Sequence, residues 1–159
     1  MKQPRKPRGP RPRIVARIPG LSYADLDEHL GYLLRRAQLA GFEAFQRATE
    51  GIDVTPPRYS ALAIVGANPG LSQSRLGEAL GTARSGAMML ADWLEERDLA
   101  ERRRLNGDGR AWGLQLTARG KALLARIRRR VLTEDALFAA RLAPGELVTL
   151  KKLLGKLSP

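Results

Sequence analysis

Cysteine is absent from the 159 residues, and histidine occurs once, at His29. Such a chain cannot build a disulfide, a thiolate metal site or a thiol redox switch, and zinc would have to rest on carboxylates and one imidazole. No metal and no cofactor are expected. Aromatic residues are scarce, at 5%, and a core poor in rings but rich in Leu and Ala points to helices packed on helices. No apolar run approaches the roughly 20 residues that cross a bilayer, and no apolar segment of signal type follows the basic N-terminus. The expectation is a cytoplasmic protein without membrane contact. Catalytic groupings are missing too. Carboxylates do not cluster, and although Gly81 and Gly86 have the spacing of a phosphate loop, Ala87 and Met88 stand where Lys and Ser/Thr are required. No enzymatic activity is expected.

What the chain has in excess is positive charge. Twenty-eight Lys and Arg face 16 Asp and Glu, a formal net charge of +12. The excess is uneven: residues 1–17 carry seven bases and no acid. The excess points either to a polyanionic partner, of which nucleic acid is the commonest, or to a soluble basic protein with a solvated charged face. Residues 1–19 interleave Pro4, Pro7, Pro10, Pro12 and Pro19 with like charges, so they are read as a disordered basic arm. The arm either lies along phosphates or serves as a solubilising tail.

Helical periodicity starts near Tyr23, where Leu26, Leu30, Leu33, Leu34, Ala37, Ala44 and Phe45 form a broad apolar stripe some 25 residues long. The other end of the chain mirrors it. Thr117 can cap a long helix containing Leu123, Ile127 and Val131, and Pro144 fits the first turn of another with Leu147, Leu150, Leu153, Leu154 and Leu157. Surplus apolar surface at both ends predicts a dimer interface with Leu21, Leu26, Leu30, Leu137, Leu147, Leu150 and Leu154 in it. Residues 20–50 and 118–159 are therefore assigned to a helical dimerisation region.

The middle, 51–117, is built from short elements. Pro56 and Pro57 open a helix that the run Gly66-Ala67-Asn68-Pro69-Gly70 should stop. Ser72 caps a helix from Gln73 to Leu80, Gly81 breaks it, and Thr82 begins another whose Ala87, Leu90, Ala91 and Leu94 make a buried stripe. Two helices joined by a tight glycine turn are the helix-turn-helix signature. Strands follow at Leu99–Leu105 and Arg110–Leu116 around Asn106-Gly107-Asp108-Gly109, a strong hairpin turn. Trp112, Leu114 and Leu116 alternate and are expected to pack inward. A basic hairpin directly after a helix-turn-helix is a wing. The fold expected is mainly α with a small β-hairpin wing: a winged helix-turn-helix domain plus a helical dimerisation domain.

On the second helix of the motif, inward-facing Leu90 and Leu94 leave Arg84, Ser85, Met88 and Met89 projecting from the exposed N-terminal part. The helix dipole there favours phosphate. Arg84 suits guanine and Ser85 a base or phosphate, while Gly86 admits the DNA backbone closely. Met88 and Met89 either fill core or touch thymine methyl groups. Ser72, Ser74 and Arg75 are expected on phosphates, and Arg102 and Arg104 on the wing as positioning charges. A guanidinium at the hairpin tip, Arg110, suits a narrow A·T-rich minor groove.

The segments LSQSRLGEALGTARSGAMMLADWLEERDLAERR and NGDGRAWGLQLTARGKALL, in this order and spacing, resemble the multiple-antibiotic-resistance-regulator (MarR) family, and the resemblance runs from about Leu26 to Leu157. It implies a homodimer whose winged domains reach successive grooves of double-stranded DNA, and a regulator of transcription, commonly a repressor. The family's wing motif Asp-x-Arg is matched by Asp108 and Arg110, with Asp108 implied to hold the wing's shape. Gly86, the methionine pair and Asp98 depart from the family's usual pattern. Asp98 stands where Gly is common, at a left-handed position that Asp can adopt. The resemblance also implies a pocket for an aromatic effector, with Tyr32, Arg35, Arg36, Phe42, Tyr59 and His29 as candidates. The segment LGYLLRRAQLAGFEAF is most similar to members that regulate aromatic-acid catabolism, some of which respond to coenzyme A thioesters. The structural alternative is that the rings are core and the arginines solvated. The functional alternative is a constitutive architectural nucleic-acid-binding protein with no ligand. A module that binds only other proteins is opposed by the basic recognition face.

Overall fold

The computed structural model describes residues 17–104 and 112–157, and it divides at Gly41/Phe42 into two compact units. The turn at Asn106–Gly109, with Asp108 and Arg110, and residues 1–16 of the expected arm lie outside the described residues.

In the N-terminal unit, a 3-10 turn at Leu26–Glu28 precedes α1, Leu30–Ala48, whose last residues belong to the second unit. The helix thus begins at Leu30 and not near Tyr23. Ala24 has a positive φ of 51° and His29 an extended backbone, and neither conformation continues a helix. Arg17, within the stretch read as an arm, forms an ion pair with Asp27, and the Ile18 amide donates to the Tyr23 hydroxyl at 3.1 Å.

The second unit contains α2 (Pro56–Ala67), α3 (Gln73–Ala79), α4 (Arg84–Glu96), β1 (Ala100–Arg104), β2 (Trp112–Leu116), α5 (Ala118–Phe138) and α6 (Pro144–Leu157). Its core gathers Leu62, Val65, Leu76, Leu94, Leu114 and Ile127, all completely or nearly completely buried, from α2, α3, α4, β2 and α5. Both expected side-chain caps form. Ser72 accepts from the Arg75 amide at 3.3 Å and Thr117 from the Gly120 amide at 3.0 Å. The next helix, α4, starts two residues later than Thr82, where the sequence placed its beginning. Ala83 is its N-cap, and the Thr82 hydroxyl occupies the space a side chain at Gly86 would need. α2 runs one residue past Gly66 and ends where Asn68 donates its side-chain amide to the Ile64 carbonyl at 2.9 Å.

The strands pair antiparallel, Ala100 opposite Leu116 and Arg104 opposite Trp112. A bridge from Leu71 to Leu114 adds a short third element: the Gly70 amide donates to the Leu114 carbonyl, and the Leu114 amide to the Leu71 carbonyl, both at 2.8 Å. Leu114 and Leu116 are buried as expected, but Trp112 is not. It is 51% exposed under the Arg104 guanidinium, 5.4 Å from the ring centroid. Burial along the strand starts only at Gly113, and Trp112 stands at its outer end opposite Arg104. Asp98 takes the expected left-handed conformation, φ 54°.

Two glycines without side-chain room weld the hairpin to the helices. A Cβ at Gly113 would overlap the Gly70 carbonyl, and one at Gly120 the Leu99 carbonyl, which also accepts from the Thr117 amide at 3.1 Å. Both obstacles are backbone, which yields only with the fold. Gly120→Ala is expected to lower unfolding stability by at least about 2 kcal/mol. Urea denaturation checks this, and an unchanged midpoint would contradict the packing described.

Candidate nucleic-acid interface

The orientation of α4 is set from inside. Ala87, Ala91 and Leu94 are buried, so Arg84, Ser85, Met88 and Met89 face solvent. Met88 is 50% and Met89 67% exposed, which removes the core-filling reading. The first-turn amides of α4 receive no side-chain cap, unlike those of α3 and α5. They remain available to an oxyanion, and the helix dipole favours one there. Between α3 and α4 lies a cleft of about 350 Å³ bordered by Ser74, Thr82 and Arg84. Its floor is tight, since a Cβ on Gly77 would stand 3.1 Å from the Ala87 Cβ. Gly81 makes the turn between the helices in the left-handed conformation, φ 58°. Ser74 and Arg75 project from α3 into solvent. Ser72 uses its oxygen as a cap but retains a hydroxyl proton to donate.

The cations of the wing differ from one another. Arg104 lies over Trp112. Arg102 turns back onto α4 and pairs with Asp92 at 3.3 Å and Glu95 at 2.9 Å. Sequence reading treated both as outward charges; the acids one and two turns beyond the methionines engage the first. Arg103, opposite Gly113, pairs with Glu101 at 2.7 Å. A third cluster had no signal in the sequence at all. Arg58 and Arg97 sit over the Trp93 ring, at 4.7 and 5.0 Å from its centroid, and both bind the Asp53 carboxylate, at 3.0 and 2.9 Å. Residues 53, 58, 93 and 97 have no shared period, so only the fold joins them.

The effector candidates separate between the two units. In the first, Arg36 donates to the Tyr32 hydroxyl at 3.2 Å, and that bond holds the guanidinium's pKa above its ordinary value. Arg36 also lies 5.7 Å from the Tyr32 centroid, and the Tyr23 ring is 6.5 Å from that of Tyr32. Tyr23 was missed; as the residue where helical periodicity begins it carried no mark of a site. Arg35 binds Gln38 at 2.9 Å and His29 binds Asp25 at 3.2 Å, both exposed. In the second unit Phe42 is half-buried, and Tyr59 packs at the core edge against Phe45, ring centroids 5.7 Å apart. A separate cleft of about 520 Å³ beside Trp93, bordered by Arg97, Arg119 and Arg126, contains none of the six candidates.

Comparison with known proteins gives concordant matches. A family model described as MarR family matches residues 52–111. A transcriptional regulatory protein assigned to the hcr operon of Thauera aromatica is 40% identical over 140 residues, 86% of this chain and 83% of that protein. The HTH-type transcriptional repressor Rv2887 of Mycobacterium tuberculosis is 30% identical, over 82% of this chain and 94% of the repressor. Among solved structures, the transcriptional repressor CouR bound to a 23-mer DNA duplex superposes with a TM-score of 0.81 at 34% identity, covering 87% of this chain and 99% of CouR. CouR bound to p-coumaroyl-CoA gives 0.78 at 34% identity, covering 87% and 97%.

The pairing of Arg102 with α4 has a measurable consequence. Asp92→Asn removes one negative charge beside the methionines and loosens one guanidinium. Affinity for a random-sequence duplex at low salt should rise several-fold, and the slope of log affinity against log salt should steepen by up to about 0.9. Fluorescence anisotropy across a salt series measures both, and an unchanged slope would show that Arg102 is already committed elsewhere.

Proposed function

The chain belongs to the MarR family of transcriptional regulators, and on that premise we propose that it is a homodimeric repressor. It binds a pseudo-palindromic operator in double-stranded DNA through α4 and the wing and is released by an aromatic effector. The observation that carries the reading is α4 itself: an uncapped, outward-facing N-terminal half bearing Arg84 and Ser85, locked in rotation by Ala87, Ala91 and Leu94. Such an end delivers side chains to base edges and amides to phosphate. Ser72, Ser74, Arg75 and Arg104 supply phosphate contacts, and the minor-groove cation is assigned to Arg110 of the Asp108-x-Arg110 motif, which lies outside the described residues. Arg102 contributes less, because two acids already engage it. Gly86 owes its identity first to the Thr82 hydroxyl packed against it.

The dimer follows from the ends of the chain. Leu21, Leu26 and Leu30 in the first unit, and Leu137, Leu150 and Leu154 in the second, are exposed, while Leu147 is partly covered. A lone chain does not leave so many leucines in water without cost, and a second copy covers them. Each winged domain then occupies one half-site. The effector class is supported by likeness to CouR, whose bound molecule is p-coumaroyl-CoA. Here Arg36 binds the anionic or carbonyl end and the Tyr23 and Tyr32 rings stack on the aromatic part. His29 and Arg35 belong to the same unit as this group, whereas Phe42 and Tyr59 belong to the other. Effector binding favours a dimer with the wrong spacing of its α4 helices, and affinity for the operator falls by the ratio of effector affinities for the two forms. Nothing in this scheme requires catalysis, and a constitutive architectural role has no observation in its favour over it.

Gel-shift titration against the promoter region beside the gene tests the scheme. Arg84→Ala is expected to relax base preference at one position, with a cost of about 1–3 kcal/mol on the preferred site, whereas Arg110→Ala weakens all duplexes alike and flattens the salt slope by about one. If neither variant changes affinity, the interface is misplaced. An aryl-coenzyme A thioester should dissolve the complex at lower concentration than the free acid. Arg36→Ala should raise the concentration required about ten-fold with operator affinity unchanged; a complex indifferent to acid and thioester alike removes the effector.

A further inference from the structure

Fifteen of the exposed large apolar side chains lie before residue 35 or after residue 131, in the terminal elements that a second copy covers. Within residues 51–117 the described exceptions are Met88, Met89 and Trp112. Trp112 already has the Arg104 guanidinium over its face. The two methionines remain, side by side on α4, directed outward by the buried Ala87 and Ala91 on either side of them. Ser85, Met88, Met89 and Asp92 follow the i, i+3, i+4, i+7 spacing of one helical stripe. The stripe therefore reads, from the N-terminus, hydroxyl, two thioethers, then a carboxylate that is tied to Arg102.

A thioether donates no hydrogen bond and accepts one weakly, so these positions cannot read the donors and acceptors of base edges. The major groove offers one apolar group, the C5 methyl of thymine. Methionine is long, unbranched and polarizable, and it follows an irregular apolar surface at little strain. Met88 and Met89 stand four and five residues beyond Arg84, about 6 Å along the helix, which is roughly two base steps of duplex.

We propose that Met88 and Met89 are specificity-determining residues that read the methyl groups of two thymines in each half-site, within about two base pairs of the base read by Arg84. The proposal rests on the regulator reading above and adds to it the chemistry of what is read. The DNA sites preferred by this chain are then marked by 5-methyl groups on the major-groove side at those positions, not by hydrogen-bonding edges alone.

The test uses the full chain. A duplex is selected from a random pool, and each thymine of the selected site is then replaced by deoxyuridine, which removes the methyl group and keeps every hydrogen-bonding atom. At two positions per half-site the replacement should weaken binding about four-fold, the equivalent of one buried methyl group. A double variant, Met88→Ala with Met89→Ala, should bind thymine and uracil duplexes equally. Met88→Leu with Met89→Leu, which keeps the apolar contact, should retain most of the discrimination. Both side chains are exposed, so circular dichroism of the variants should match the parent. Equal binding of thymine and uracil duplexes by the parent overturns the proposal while leaving the regulator reading standing. So does discrimination that survives in the double alanine variant, as it would if the methionines instead met a protein partner. Failure to select any duplex overturns the regulator reading and this proposal with it.

Discussion

The arrangement depends first on how closely α4 is held by its neighbours. Where α3 passes over α4 the contact is Gly77 on Ala87, so close that a Cβ at Gly77 would stand 3.1 Å from the Ala87 Cβ, and Ala91 and Leu94 continue the buried face. Small residues at a helix crossing bring the backbones together and leave little freedom of rotation. A rotation of α4 by one residue would carry Met88 into the core and Ala87 out of it. The outward set is thus determined by what is buried, and the DNA-facing side chains inherit their direction from alanines and a glycine that never meet DNA.

The wing is coupled to this body as firmly. Its second strand is clamped at Gly113 against Gly70 and by the two hydrogen bonds between Leu114 and residues 70 and 71. At the other end, Thr117 accepts from the Gly120 amide, donates its hydroxyl to the Asp98 carbonyl at 2.7 Å, and bonds through its amide to Leu99. The chain leaving α4, the base of the hairpin and the start of α5 therefore meet at one junction. α4 and the base of the wing are expected to move together.

Much of this was legible in the sequence because it was local. Helix caps at Ser72 and Thr117, the break at Gly81 and the apolar stripe of α4 each need only a few consecutive residues to be read, and the structure has them all. The misreadings were tertiary. Trp112 has the right parity for burial, but where along the strand burial ends is not written in it. Arg102 looked free because Asp92 and Glu95 lie on another element and come near only when the hairpin folds back. α2 does stop within the run 66–70, but Gly66 itself still lies in the helix, where a side chain would press on Leu116 and Leu124. The periodicity that suggested a helix from Tyr23 says nothing about the left-handed Ala24 that delays it. The methionines were ambiguous for the same reason: helical phase alone does not say how wide the buried face is.

These parts form a DNA-reading device only if two copies hold two α4 helices at a fixed distance, and the exposed leucines at both ends of the chain are the physical reason to expect a second copy. Hydroxyl-radical footprinting of the full chain on a selected duplex examines that directly. Two protected patches on one face of the helix, related by two-fold symmetry and centred about 34 Å apart, are the predicted result. A single patch, or uniform protection along the duplex, would contradict it.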